Sequence, residues 1–107
     1  MVYMMDEMVI KPGMLKQYIE AYNREYAPGA KARGLKLVGS WIAPPLELQG
    51  ESNTFVVLWA MDGVEGFWNQ RKGAQTPAVR AWWEKAEAWQ VSRTRRFLEP
   101  TAASPMK

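Results

Sequence analysis

The sequence predicts one α+β domain, a four-stranded antiparallel sheet with two helices on one face, in the order strand, helix, strand, strand, helix, strand. Three observations lead there. The chain has 107 residues, which is one domain's worth of core and too little for two. Two stretches carry apolar residues at helical spacing. At least two of the four strand segments are apolar on both faces, whereas a strand open to water on one side alternates apolar with polar residues.

The first strand is Val2 to Ile10, closed by Lys11-Pro12-Gly13. Met4, Asp6 and Met8 share one of its faces, with Tyr3, Met5, Glu7 and Val9 on the other. From Pro12 to about Ala27, Leu15, Tyr18, Ile19, Tyr22 and Tyr26 follow the spacing of one helix face. Pro28-Gly29 is expected to kink or stop that helix, because proline removes a donor and crowds the preceding turn, with a short turn resuming through Arg33 before Gly34. Leu35 to Ala43 is the second strand, ended by Pro44-Pro45, and Asn53 to Met61 the third, central and most uniformly apolar. The short link between them predicts a hairpin.

Asp62-Gly63 opens a second helical region in which Val64, Phe67, Trp68 and Arg71 keep helical spacing. Gly73 interrupts it, and Thr76-Pro77 restarts it with a cap followed by a first-position proline. Val79, Trp82, Ala86 and Trp89 line one face, with Trp83 at its flank. Val91 to Leu98 is the last strand. The domain is expected over residues 1–99, with 100–107 a frayed tail. This element order is that of a ferredoxin-like fold. Two helices cover only one face of such a sheet, so the other is expected to pack against a second copy in a two-fold homodimer, with Glu7 in the seam forming an inter-subunit ion pair.

Composition removes much chemistry. There is no cysteine and no histidine, hence no disulfide, thiolate nucleophile, imidazole metal site, Ser-His-Asp triad or histidine-ligated haem. No metal or cofactor is expected, and no phosphate loop or dinucleotide fingerprint is present. The formal net charge is +3, and the excess falls in Arg93, Arg95, Arg96 and Lys107 rather than along one face. Nucleic acid is therefore not the expected partner. An edge strand protected by positive charge accounts for most of that cluster. No apolar run reaches a membrane span, and the N-terminus lacks a secretory pattern, so no membrane partner and a cytoplasmic location are expected.

The residues Ile10-Lys11-Pro12-Gly13, Lys36-Leu37-Val38-Gly39-Ser40-Trp41, Asn53 through Leu58-Trp59-Ala60 to Asp62, Thr76-Pro77 and Val91-Ser92 resemble the NIPSNAP branch of the dimeric α/β barrel proteins. The resemblance runs over nearly all of residues 2–98. It implies a dimeric α/β barrel whose ligand lies between the sheet and the two helices of each subunit. Relatives in the wider superfamily include cofactor-independent monooxygenases, haem-degrading enzymes, isomerases, polyketide cyclases and members without established activity, so the resemblance implies a fold rather than a reaction. NIPSNAP-like sequences typically carry Arg and Tyr on the first strand where this chain has Asp6 and Met8, and His in the third where it has Val57. A chemistry needing that His or Arg is not expected here in the same form.

Within that frame Asp6 is the candidate general base, since a carboxylate in an apolar slot is desolvated and its pKa raised. The hydroxyls of the stripe Tyr18, Tyr22, Tyr26, Tyr22 first among them, are the candidate donors to a bound carbonyl or phenolate. Met4, Met8, Val57, Trp59 and Trp68 are expected to form a flat, polarizable slot, with Arg71 and Arg96 holding an anionic group. The leading expectation is a metal-free enzyme acting on a hydrophobic, aromatic or polyketide-like substrate by isomerisation, cyclisation, elimination or cofactor-free oxygenation. The alternative is a non-catalytic small-molecule-binding or scaffolding protein. Haem held by a non-histidine ligand is a third reading.

Overall fold

The computed structural model describes residues 1–73 and 76–106. Four strands, β1 (Val2–Ile10), β2 (Lys36–Ala43), β3 (Asn53–Met61) and β4 (Gln90–Leu98), form one antiparallel sheet in the order β2-β3-β1-β4. The two inner strands, β1 and β3, are those whose sequences are apolar on both sides. On the helix side Met4, Met8, Ile10, Val57 and Trp59 are fully buried. On the other side Met5, Val9, Val56 and Leu58 are half-buried and Trp41 is 54% exposed.

The first helix departs from expectation at its start, while beyond Pro28 it resumes as far as Arg33 before Gly34, as expected. Gly13 has φ of 82°, a left-handed conformation that breaks the run of a right-handed helix, so Lys11 to Gly13 is a turn and α1 begins at Leu15 (Leu15–Ala21). Pro28 does not stop the helix. A π turn over Tyr22–Tyr26 precedes it, with the Ala27 N–H reaching back to the Tyr22 carbonyl, and α2 (Ala27–Ala32) continues. A widened turn relieves the crowding a proline ring imposes on the carbonyl four residues back. Gly34, with φ of 93°, then ends α2 and leads into β2.

Thr76 caps α4 (Pro77–Ala86) by accepting from the Val79 N–H at 3.4 Å, and Val79, Trp82 and Ala86 are buried. The preceding helix, α3 (Gly63–Gly73), turns a different face inward than its apolar spacing suggests. Val64 is 70% exposed and Trp68 53%, while Gln70 is 1% exposed. A Cβ on Gly66 would lie 3.2 Å from the Met61 Cβ, so α3 runs close to the end of β3 there, and Phe67 is the residue of the expected apolar set that packs partly against the core. The segment after β4 is described to Met106; Pro100, Ser104 and Met106 line a hollow with Tyr3 and Leu58, so the tail lies against the sheet, and Lys107 falls outside the described residues.

Glu7 pairs within its own chain, accepting from Arg96 Nη2 at 2.6 Å on the sheet face away from the helices. Register explains it. Arg96 lies opposite Met5 on β4, and its long side chain reaches the next residue on that face of β1.

Beneath the helices the core is aromatic. Tyr18 meets Phe55 and Trp82 edge-on at 6.2 and 5.7 Å, and Tyr22 meets Phe55 at 5.3 Å. Each such pair contributes about 0.5–1.5 kcal/mol beyond area burial. Burial pushes the Tyr22 phenol well above its ordinary value of 10.0, with the nearby Asp6 charge adding to it, and burial likewise raises Tyr18. A phenol raised in the folded state contributes stability that is complete below the unfolded value and is lost as pH rises past it toward the folded value. Stability is therefore expected to fall steeply above pH 10, with the tyrosinate absorbance of Tyr18 and Tyr22 appearing only as the chain unfolds. Their ionisation near 10 in a chain that keeps its native circular dichroism is the contrary result.

Candidate functional site

Pleat parity sends the Asp6 side chain under the helices, where it is 2% exposed. Arg95 stands directly opposite on β4. Its Nε donates to Oδ1 at 2.6 Å and its Nη2 to Oδ2 at 3.0 Å, a two-pronged fork of the strong, geometrically specific kind. Arg95 Nη2 also donates to the Tyr26 hydroxyl at 3.1 Å, and Arg33 Nη2, from the end of α2, donates to the same oxygen at 3.3 Å. Tyr26 Oη thus accepts from two guanidinium groups, and its own proton has no acceptor among the described residues. Burial pulls the Arg95 pKa down, but the Asp6 bonds and charge more than reverse this and leave it raised. Alongside, Trp59 Nε1 donates to Tyr22 Oη at 3.0 Å.

Tyr26 and Arg33 are also the inner wall of a cleft of about 200 Å³ between α2, the end of α3 and the first turns of α4. Its other walls are Glu25, Gly29, Gly73, Thr76, Ala78, Val79 and Trp82. The aliphatic stem of Arg33 crosses α3 at Gly73, where a Cβ would collide with the Arg33 Cδ. A side chain there would have to push the Arg33 stem aside, a matter of contact and not of backbone angle. Two wall residues keep buried donors without a partner among the described residues, Arg33 Nε and Trp82 Nε1, and Gln70 Nε2 on α3 is a third such group. Unmet buried donors cost about 1–3 kcal/mol each. Glu25 is already engaged, accepting from Lys85 Nζ at 2.9 and 2.8 Å, and this bond holds its carboxyl below the ordinary 4.5. Among the described residues no group of three His, Cys, Asp or Glu side chains is placed to hold a metal ion.

The expected site residues therefore divide. Asp6, Tyr22, Met4, Met8, Val57 and Trp59 do come together, each 2% exposed or less, on the helix side of the sheet. They are packed against one another and do not line the cleft. Asp6 is held by a cation, unlike the uncompensated carboxylate expected of a general base. Trp68 does not roof this region, because α3 presents Gly66 and Gln70 inward and leaves Trp68 outside, edge-on to Phe67 at 5.3 Å. Arg71 is exposed on the same helix. Arg96 points from the opposite sheet face.

Arg95, Arg33 and Trp82 are the residues the sequence did not single out for this role, whereas Tyr26 belongs to the tyrosine stripe whose hydroxyls were expected as donors. Arg95 could be found only by knowing that β4 pairs with β1 in the register that sets it against Asp6. Removing the anion alone leaves a guanidinium short of its counterion, which costs about 3–5 kcal/mol where such a pair is buried. Asp6→Asn is accordingly expected to lose stability on that scale in urea unfolding, and Asp6→Asn combined with Arg95→Gln to recover part of it. Strict additivity of the two single changes is the result that would count against a coupled pair.

The family model described as NIPSNAP matches residues 3–105. No curated protein matches. Among solved structures, an uncharacterized NIPSNAP domain protein from Burkholderia xenovorans superposes with a TM-score of 0.75 at 22% identity, covering 98% of this chain and 99% of that one. A NIPSNAP family protein with unknown function from Agrobacterium tumefaciens gives a TM-score of 0.75 at 19% identity, covering 100% of this chain and 94% of that one. A protein described as an antibiotic biosynthesis monooxygenase gives 0.64 at 15% identity, over 94% and 99%. At these identities the structural likeness concerns the fold, which is ferredoxin-like in all the senses described above. The family match spans almost the whole chain, and the protein belongs to the NIPSNAP family.

Proposed function

We propose that this protein binds a small hydrophobic molecule, about one aromatic ring in size and carrying a hydrogen-bond acceptor, in the cleft between α2 and α4. The observation that carries the reading is an open cleft walled by Arg33 and Trp82, whose buried Nε and Nε1 donors have no partner among the described residues. A site of this build rewards a guest that brings an acceptor. Size follows from volume. An apolar cavity of about 150 Å³ holds benzene, so about 200 Å³ takes one substituted ring. This narrows the aromatic or polyketide-like guest expected from the sequence.

A second reading, metal-free catalysis on that guest, is favoured by the Tyr26 hydroxyl. With its oxygen receiving two guanidinium donors, Tyr26 is left to donate its proton, and an oxygen gaining negative charge in the cleft, as in enolisation, would be stabilised by that donor. Isomerisation, cyclisation, elimination or cofactor-free oxygenation are the reactions such a site would serve, and the neighbour described as a monooxygenase supports that class. In this reading Asp6 is a positioning residue, acting through Arg95 on Tyr26. The half-buried sheet face around Met5, Val56, Leu58 and Trp41 supports a homodimer packed through it. Among the described residues no helix is long and apolar enough to cross a membrane, and a cytoplasmic site of action is part of this proposal.

Titration with acetophenone and with benzoate, followed by NMR, is expected to shift the Trp82 indole N–H and the amides of Gly29 and Gly73. In Gly29→Leu the new side chain enters the cleft from α2, where the nearest atom to the added Cβ is Arg33 Nη1 at 3.7 Å. That variant should lose the shifts while gaining up to about 1 kcal/mol of helix propensity. Wild-type spectra unmoved by either compound would remove the proposal. Sedimentation is expected to show a dimer at micromolar concentration, and a stable folded monomer there would remove the packing of two sheets.

A further inference from the structure

We propose that the cleft is an anion site whose guest presents a carboxylate, or an equivalent single negative charge, to Arg33. This rests on the reading of the cleft as a binding site and adds the chemical class of the guest.

The charges around the cleft are committed with one exception. Arg95 is taken by Asp6, and Glu25 by Lys85 at 2.8 Å and Arg24 at 3.4 Å. Asp62 and Glu65 border a neighbouring hollow that Arg33 also lines, yet neither forms an ion pair with it. Among the described residues Arg33 pairs with no carboxylate; its guanidinium donates to the uncharged Tyr26 oxygen and keeps a buried Nε without partner. A guanidinium stays charged at any ordinary pH, and a half-buried charge without a counterion is costly. Its fork suits a planar carboxylate.

Two further features favour the same sign. The first turn of the ten-residue helix α4 contributes Thr76, Ala78 and Val79 to the wall, and the N-terminal end of a helix carries partial positive charge. Trp82, 4% exposed, belongs to the same wall, and its indole N–H has no partner among the described residues. The apolar remainder of the lining calls for a hydrocarbon body behind the charge, so an aromatic or short branched carboxylate fits better than an inorganic anion. Gly73 is part of the device, since any larger residue there would displace the stem that carries the charge.

The test compares benzoate with benzamide, which share shape and differ in charge, by calorimetric titration of the full chain. Benzoate is expected to bind at least tenfold more tightly, and Arg33→Gln to erase that preference by weakening benzoate far more than benzamide. Raising salt should weaken benzoate alone. Equal or tighter binding of benzamide by the wild type overturns the anion assignment and leaves the ring-sized cleft standing. Failure of both compounds to bind overturns the two together. The wild-type comparison decides even where Arg33→Gln does not fold, and Arg33→Lys, which keeps the charge without the fork, should then retain part of the preference; a preference unchanged in a folded Arg33→Gln also refutes the role of Arg33.

Discussion

A carboxylate on an inner strand, beneath a layer of helices, needs a cation in contact with it. In this chain the Asp6–Arg95 fork meets that requirement. The consequences spread outward. Arg95 is held pointing inward from an edge strand, its second donor fixes the Tyr26 hydroxyl, and Tyr26 in turn receives Arg33 from the end of α2. One buried charge thereby ties β1, β4 and the long first helix together. The site grows from this tie, because Arg33 and Tyr26 are both members of the network and walls of the cleft.

The helical layer is shaped by small residues and one distorted turn. Gly66 lets α3 rest on Met61, and Gly73 lets the Arg33 stem pass. The π turn over Tyr22–Tyr26 carries the helix past Pro28 and leaves Tyr22 and Tyr26 both buried, with rings 4.9 Å apart. A straight helix broken at Pro28 would not carry on to Arg33, and the cleft would lack the cation on its wall. The feature that looks locally like an interruption is what connects the aromatic core to the charged rim.

Much of the architecture was legible in residue patterns. Strand and helix order, the inner position of Asn53 to Met61, the Thr76-Pro77 start of α4 and the burial of Trp82 all follow from periodicity and capping. Those signals are local and repeat along the chain. The site was legible only in part. Pleat parity places Asp6, Met4, Met8, Val57 and Trp59 on the helix side, but it does not say what else reaches them. Val64 and Trp68 have the spacing of a buried face and are exposed, whereas Phe67 from the same set packs partly against the core and the polar Gln70 is buried.

The sequence by itself therefore determined the elements, the two-sided apolar character of β1 and β3, and the absence of thiol and imidazole chemistry. Only the tertiary structure decided that Arg95 and not Arg96 meets Asp6, that Glu7 is satisfied within its own chain, and that Arg33 and Trp82 face a common cleft. The reason is the range of the forces. Periodicity and caps act within a few residues, whereas the partner of a buried charge is set by strand register across 89 residues, and no local pattern encodes that register.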